Sequence, residues 1–296
     1  MTPAAILLSL ALAASEAAPD PYADRVALRA ADSACALFAP AERALLDALV
    51  ALARDDAVRG GADPAALDRY EASAGAPDCD GPLTARLAEG HRAQIDRLAP
   101  LTEIAFPGRH QHWISERRRR GAPDWRVRQS TAEAEATLGL APGEEEDRFV
   151  LAYRAEAAPA FAVIVFRDPA RQAHPLDFTA GGLLPAPGGD PVSAWGGGAR
   201  AEIRIPASGR LDPDTAARLA PAGGAPARGF VFPDRALRAM THLTPRDGVR
   251  VEFTGADGRP AGAYWFETGM LNAALAVQGI ALPEPERPEG TQTASR

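Results

Sequence analysis

The sequence predicts an α+β protein: a small disulfide-stapled helical bundle followed by an antiparallel, β-rich, sandwich-like domain with short helices. Three observations carry this expectation. Apolar residues recur at helical spacing through the first half, they alternate at strand spacing from about Trp125 onward, and the chain's two cysteines, Cys35 and Cys79, both lie in the helical half. The expected organisation is an export signal over residues 1–13, a linker over 14–24, a helical domain over 25–124, a β-rich domain over 125–282 and a disordered tail over 283–296.

Residues 4–14 form a short uncharged apolar run, and Ala11-Leu12-Ala13 places small residues where a signal peptidase cuts. The run is about half the ~20 residues that a membrane-crossing helix needs, so cleavage is expected rather than anchoring, with no transmembrane segment in the mature chain. Met1-Thr2-Pro3 carries no basic side chain, and an unordered apolar N-terminus is the alternative reading.

The helices follow in order. Residues 25–38 carry a weak stripe of Val26, Leu28, Ala34 and Leu37. Pro40 suits the first turn of a second helix, whose apolar set is Leu45, Leu46, Leu49, Val50 and Leu52 and which stops at Gly60-Gly61. Asp63-Pro64 is an N-cap followed by proline, opening a short helix that ends near Gly75. Asp80 to Pro82 opens another, with Leu83, Leu87, Ile95 and Leu98 on one face and His91 among them as a packed histidine. A last short helix is expected over residues 109–120, after the turn Phe106-Pro107-Gly108.

The strands come next. Residues 148–154, 160–167, 200–205, 230–232, 249–253 and 261–266 read as strands by alternation or compact apolar content. Asp257-Gly258 supplies a hairpin turn between the last two, residues 234–242 a short helix, and Thr268 the cap of a closing helix that ends at Gly279. Residues 185–199 and 206–228 read as loops, the second with room for one helical turn after Asp212-Pro213.

All 32 basic residues are arginine, which excludes Schiff-base chemistry, a Walker lysine and a lysine general base. Net charge is −7 and neither half is basic, which argues against nucleic acid as a partner. Cys35 and Cys79 are expected to pair, because an even number of widely spaced cysteines in an exported chain reads as a disulfide; a two-cysteine zinc site lacks CxxC spacing.

Familiar catalytic signatures such as GxSxG, HExxH and CxxC are absent. The densest polar cluster is residues 109–120. On a helix, His112 and Glu116 would share a face and, with His110, form a candidate divalent-metal site. The bland reading of the same stretch is a solvated face on which Glu116 pairs with Arg120 while Trp113 buries its ring. Arg117, Arg118, Arg119 and Arg120 with Trp113 form a candidate interaction patch for anionic lipid or an envelope protein. The acidic residues Glu144 to Asp147 read as an exposed turn. No cofactor is indicated.

Leu237, Met240, Gly248, Val251, Phe253, Gly258, Pro260, Gly269 and Ala273 resemble the closing part of the invasion-associated locus B family of exported bacterial proteins. That resemblance implies an envelope-associated β-rich domain and no catalytic residues. The helical half is similar to uncharacterised exported proteins of high-GC bacteria. The expected function is therefore a non-enzymatic binding or structural role in the cell envelope, periplasmic or secreted. Two other readings stay open: a periplasmic hydrolase with a scattered, metal-assisted site, and an inhibitor or chaperone-like partner of a secreted enzyme.

Overall fold

Four N-terminal helices open the structure, a computed structural model that describes residues 21–75, 78–108, 110–118, 121, 123–131, 133–171 and 202–282. They are α1 (Pro21–Cys35), α2 (Pro40–Arg59), α3 (Pro64–Ser73) and α4 (Pro82–Leu98). The expected export signal, the expected linker up to residue 20, the loop expected over 185–199, Arg119, Arg120 and the tail expected over 283–296 lie outside the described residues. Among the described residues no helix is long and apolar enough to cross a membrane.

The proline-led starts behave as the sequence expects. Asp63 accepts the Ala65 amide ahead of Pro64, and Pro40 and Pro82 sit in the first turns of α2 and α4. Tyr22, Val26, Leu28, Phe38, Leu46, Val50, Ala53 and Ala88 form a helical core. The disulfide ties Cys35, at the end of α1, to Cys79, just before α4, with Cα atoms 5.8 Å apart. Helix α3 has no fully buried residue; Leu67 packs partly on the helical core, and Glu71 accepts Tyr22 Oη at 2.6 Å, Arg29 at 2.5 Å and Arg54 at 2.8 Å.

The change to strands comes after Leu98, earlier than the sequence suggests. Strand β1 (Glu103–Pro107) pairs antiparallel with β2 (His112–Glu116), with Phe106 opposite Trp113 and Glu103 opposite Glu116. Within the helix expected over 109–120, the described residues 112–116 form a strand instead. Strand alternation buries Trp113 and Ser115 while His112 stays exposed. Gly108 makes the intervening turn possible: its amide bonds Gln111 O at 2.9 Å, and a Cβ there would lie 2.3 Å from a Glu267 carboxylate oxygen.

The remaining strands are β3 (Val127–Ser130), β4 (Ala136–Ala141), β5 (Arg148–Arg154), β6 (Phe161–Arg167), β7 (Glu202–Pro206), β8 (Gly209–Arg210), β9 (Ala227–Phe232), β10 (Gly248–Thr254) and β11 (Pro260–Glu267). They build a seven-stranded sheet, β1-β2-β3-β4-β5-β9-β8, and a four-stranded sheet, β11-β10-β6-β7, both antiparallel. Phe149, Leu151, Tyr153, Phe230 and Phe232 of the first meet Ile164, Phe166, Val249, Val251 and Phe266 of the second in one sandwich core.

Short helices complete the molecule: α5 (Pro213–Leu219), α6 (Asp234–Thr241) and α7 (Leu271–Ala276), the last running into a 3-10 turn, Val277–Gly279. Helix α5, capped by Asp212 through the Thr215 amide, covers the outer face of β5, where Val150 and Ala152 meet Ala216 and Leu219. Strand β5 is therefore buried on both sides. Met270 rather than Thr268 occupies the N-cap of α7, with no side-chain cap bond. The Thr268 carbonyl instead accepts the Leu271 amide at 3.0 Å.

Helix α2 belongs to two cores. Leu46, Val50 and Ala53 face the other helices, while Leu45, Ala48 and Leu49 join the sandwich core beside α7.

Candidate functional site

The cluster over residues 109–120 is a structural junction in this fold. On a strand, four residues span about 13 Å, so His112 and Glu116 cannot share a metal ion as they would across one helical turn. Glu116 accepts from Arg128 of β3 at 2.6 Å, and Arg120, its expected partner, lies outside the described residues. His110 lies at the exposed turn, and its backbone amide donates to Glu267 Oε1 at 2.8 Å. Among the described residues no three His, Cys, Asp or Glu side chains converge as a metal-binding group.

Trp113 is fully buried, its indole N–H donating to Glu267 O at 3.0 Å and Thr268 O at 2.8 Å. Arg117 is only 4% exposed, which removes both residues from any surface patch. The Arg117 guanidinium donates to five carbonyls: Leu98, Ala99 and Leu101 at the end of α4, and Val277 and Ile280 around the closing turn. It places positive charge at the C-terminal ends of two helical segments, which is the favourable end for a cation. Burial lowers its pKa below the ordinary guanidinium value. Arg118 is exposed.

His91 is the packed histidine expected. Its Nε2 lies 3.1 Å from Glu42 O, its ring meets Phe38 edge-on, and burial lowers its pKa, keeping the imidazole neutral. A buried ion pair joins Arg167 and Asp247 through two bonds of 2.7 Å, and Asp247 also accepts from the Thr244 amide and hydroxyl. Nearby, Asp55 of α2 is 5% exposed with one carboxylate oxygen lacking a partner. Burial outweighs the pull of Arg246 and Arg59 and raises its pKa to about 6.

The feature suited to holding a ligand lies at one end of the sandwich. A cavity of about 290 Å³ opens where the chain crosses from the first sheet to the second, between β5 and β6. Tyr153, Phe253 and Tyr264 form its aromatic wall; Ala155, Ala157, Ala158 and Pro159 form the crossing segment. The rings come from three strands and brace one another. Tyr153 lies 5.0 Å from Phe253 and 6.0 Å from Tyr264, and Phe253 meets Tyr264 at 84° and 5.6 Å. Gly255, Ala261, Gly262 and Ala263 keep the facing wall low, and the β10–β11 pairing is irregular at Phe253/Thr254.

Two arginines fix the crossing segment. Arg228 donates to Ala155 O and Glu156 O, both at 2.9 Å; Arg210 donates to Pro159 O at 2.6 Å and Ala160 O at 3.1 Å. Arg210 also lies over the Phe230 ring, 5.3 Å from its centroid. The wall is thus held by charge-assisted bonds to its backbone. Tyr153 is 2% exposed, and among the described residues its hydroxyl has no hydrogen-bond partner. Burial pushes its pKa up to about 12, even though Arg228 and Arg210 pull it down.

The cavity's described lining contains no serine, cysteine, histidine or carboxylate. A second depression, of about 630 Å³, is open and charged, with Glu144, Glu145, Glu146, Arg148 and Arg218 around it. Asp212 on its rim is already engaged in capping α5.

Nothing in the sequence marks the end cavity, because Tyr153 and Tyr264 stand more than a hundred positions apart. Among protein-family models, curated proteins and solved structures, none matches this chain.

Proposed function

We propose that this chain is an exported cell-envelope protein, periplasmic or secreted, with a non-enzymatic binding role centred on the cavity at the end of its sandwich. The observation that carries the reading is the character of that cavity: aromatic and apolar, braced by two arginines, with no serine, cysteine, histidine or carboxylate in its described lining. The compartment is supported by the Cys35–Cys79 disulfide, since such bonds persist in oxidising surroundings. The apolar leader over residues 1–13 points the same way. An envelope protein or anionic lipid remains the expected macromolecular partner, with Arg118 as an exposed contact.

Native mass spectrometry of protein recovered from the envelope fraction tests the reading. The expected spectrum shows mature chain carrying a non-covalent small molecule, which an Ala157→Trp variant loses because the indole fills the cavity mouth. Steady hydrolysis of generic ester or peptide substrates by purified protein would overturn the non-enzymatic assignment.

A further inference from the structure

We propose that the open half of the β11 edge takes a short extended peptide as an added strand, with one of its apolar side chains seated in the end cavity. The inference rests on the binding role above and names the ligand class of the same site.

The register shows which backbone groups of β11 face away from β10. The Thr268 amide bonds Asp247 O at 2.9 Å, so Phe266, Tyr264 and Gly262 in turn exchange bonds with Val249, Val251 and Phe253. Glu267, Trp265 and Ala263 therefore turn their N–H and C=O groups outward. The first sheet covers the far end of this row. Side chains of Gln111 and Gln129 accept the Glu267 amide at 3.1 and 2.8 Å, and Gln111 donates to Trp265 O at 2.9 Å.

The covering stops at Trp265. Ala263 is exposed, and among the described residues nothing bonds its outward amide or carbonyl. A strand edge with an unpaired donor and acceptor is a template for another chain. Pro260, which lacks an N–H, and the irregular pairing at Phe253/Thr254 end the open stretch on its other side. The edge therefore suits a short peptide and resists extended sheet-to-sheet contact.

The cavity supplies the second contact. Side chains alternate across a strand, so the peptide residue opposite Ala263 points to the outer face. Its neighbours point as Gly262 and Tyr264 do, toward the cavity. A Cβ at Gly262 would meet nothing within 4 Å, so this side of the edge has room. About 290 Å³ is at the lower limit for whole small-molecule ligands, and it is ample for one leucine or phenylalanine side chain. Main-chain bonds hold such a peptide, and the cavity chooses the side chain.

The probe is acetyl-Thr-Phe-Thr-Phe-Thr-amide, titrated into isotope-labelled, oxidised mature protein and followed through the backbone amide resonances. In the paired register the threonine amides face β11 and the phenylalanine amides face solvent. N-methylation of the threonines should abolish binding, whereas N-methylation of the phenylalanines should change it by less than about threefold. The Ala263 amide proton should move downfield, as a proton entering a hydrogen bond does. Alanine in place of both phenylalanines should weaken binding about tenfold or more, the value of burying one aromatic side chain. Ala157→Trp, at an exposed position of the cavity rim, should weaken it by a similar factor.

Equal affinity for the two methylated peptides, or an Ala263 amide unmoved at saturation, would overturn the strand pairing. Full affinity of the alanine peptide would overturn the role given to the cavity. Failure of the parent peptide at about 10 mM, with a small molecule still carried by envelope-purified protein and lost in Ala157→Trp, would refute this ligand class while leaving the binding role standing. Failure of both would remove the binding role itself.

Discussion

Replacing Arg117 with methionine tests how the helical and sheet layers are joined. The guanidinium reaches five backbone carbonyls at 2.6 to 3.3 Å, three at the end of α4 and two around the closing 3-10 turn. Each bond from a charged donor is worth about 1.5 kcal/mol at the low end, giving roughly 7 kcal/mol for the set. Leu98 O and Val277 O also accept the amides of Leu101 and Ile280, so they are not orphaned by the change. Removing a buried cation also relieves a desolvation cost of several kcal/mol. The net loss expected for Arg117→Met is therefore about 3 kcal/mol, or roughly 6–12 °C in Tm for a chain of this size. Arg117→Lys keeps the charge but cannot bridge both carbonyl groups from one nitrogen, and should lose about half as much. Urea unfolding of oxidised protein, followed by tryptophan fluorescence and circular dichroism, gives the numbers. A methionine variant within about 0.5 kcal/mol of the wild type would refute this account of the junction.

Two further outcomes follow from the same structure. Cys35→Ala with Cys79→Ala should cost about 4 kcal/mol, since the bridge closes a loop with a sequence separation of 44; an unchanged urea midpoint for the double variant would contradict this. Asp55 has a folded pKa of about 6, above its ordinary value, so its protonated form favours the fold. Its contribution is fully present at low pH and is lost as pH rises from about 4 through about 6. Asp55→Asn should accordingly stabilise the protein by about 1–3 kcal/mol at pH 7.5 and by almost nothing at pH 4. A variant weaker than the wild type at pH 7.5 would show that the carboxylate is better satisfied than its unpartnered oxygen indicates.

Most of the fold can be read from local chemistry. The prolines and small acidic residues at helix starts place α2, α3, α4 and α5 because they act on the first turn, within four residues. Strands β5, β6, β10 and β11 are legible because their inward positions are branched or aromatic. Strand β2 is not, because its inward set is Trp113 and Ser115, continued by Arg117, so burial there does not follow hydrophobicity. The charged residues over 109–120 look like a solvated helix for the same reason: the carbonyls that satisfy Arg117 come from residues 16 to 163 positions away.

The candidate site was still less visible. The disulfide is legible from the number and wide spacing of the cysteines. The cavity depends instead on Tyr153, Phe253 and Tyr264 meeting across two sheets, and on Arg210 and Arg228 finding carbonyls of a segment that has no motif. Each residue alone reads as ordinary core or surface. Their chemistry emerges from the antiparallel order β5-β9-β8 in one sheet and β11-β10-β6 in the other.

The most direct test of the export claim is the intact mass of the protein taken from its native cell compartment, measured with and without reductant and alkylating reagent. The account predicts recovery outside the cytosol of a chain lacking residues 1–13, lighter than its dithiol form by two hydrogens, and alkylated at Cys35 and Cys79 only after reduction. A cytosolic chain that retains its apolar leader, with both thiols alkylated before any reductant is added, would contradict it.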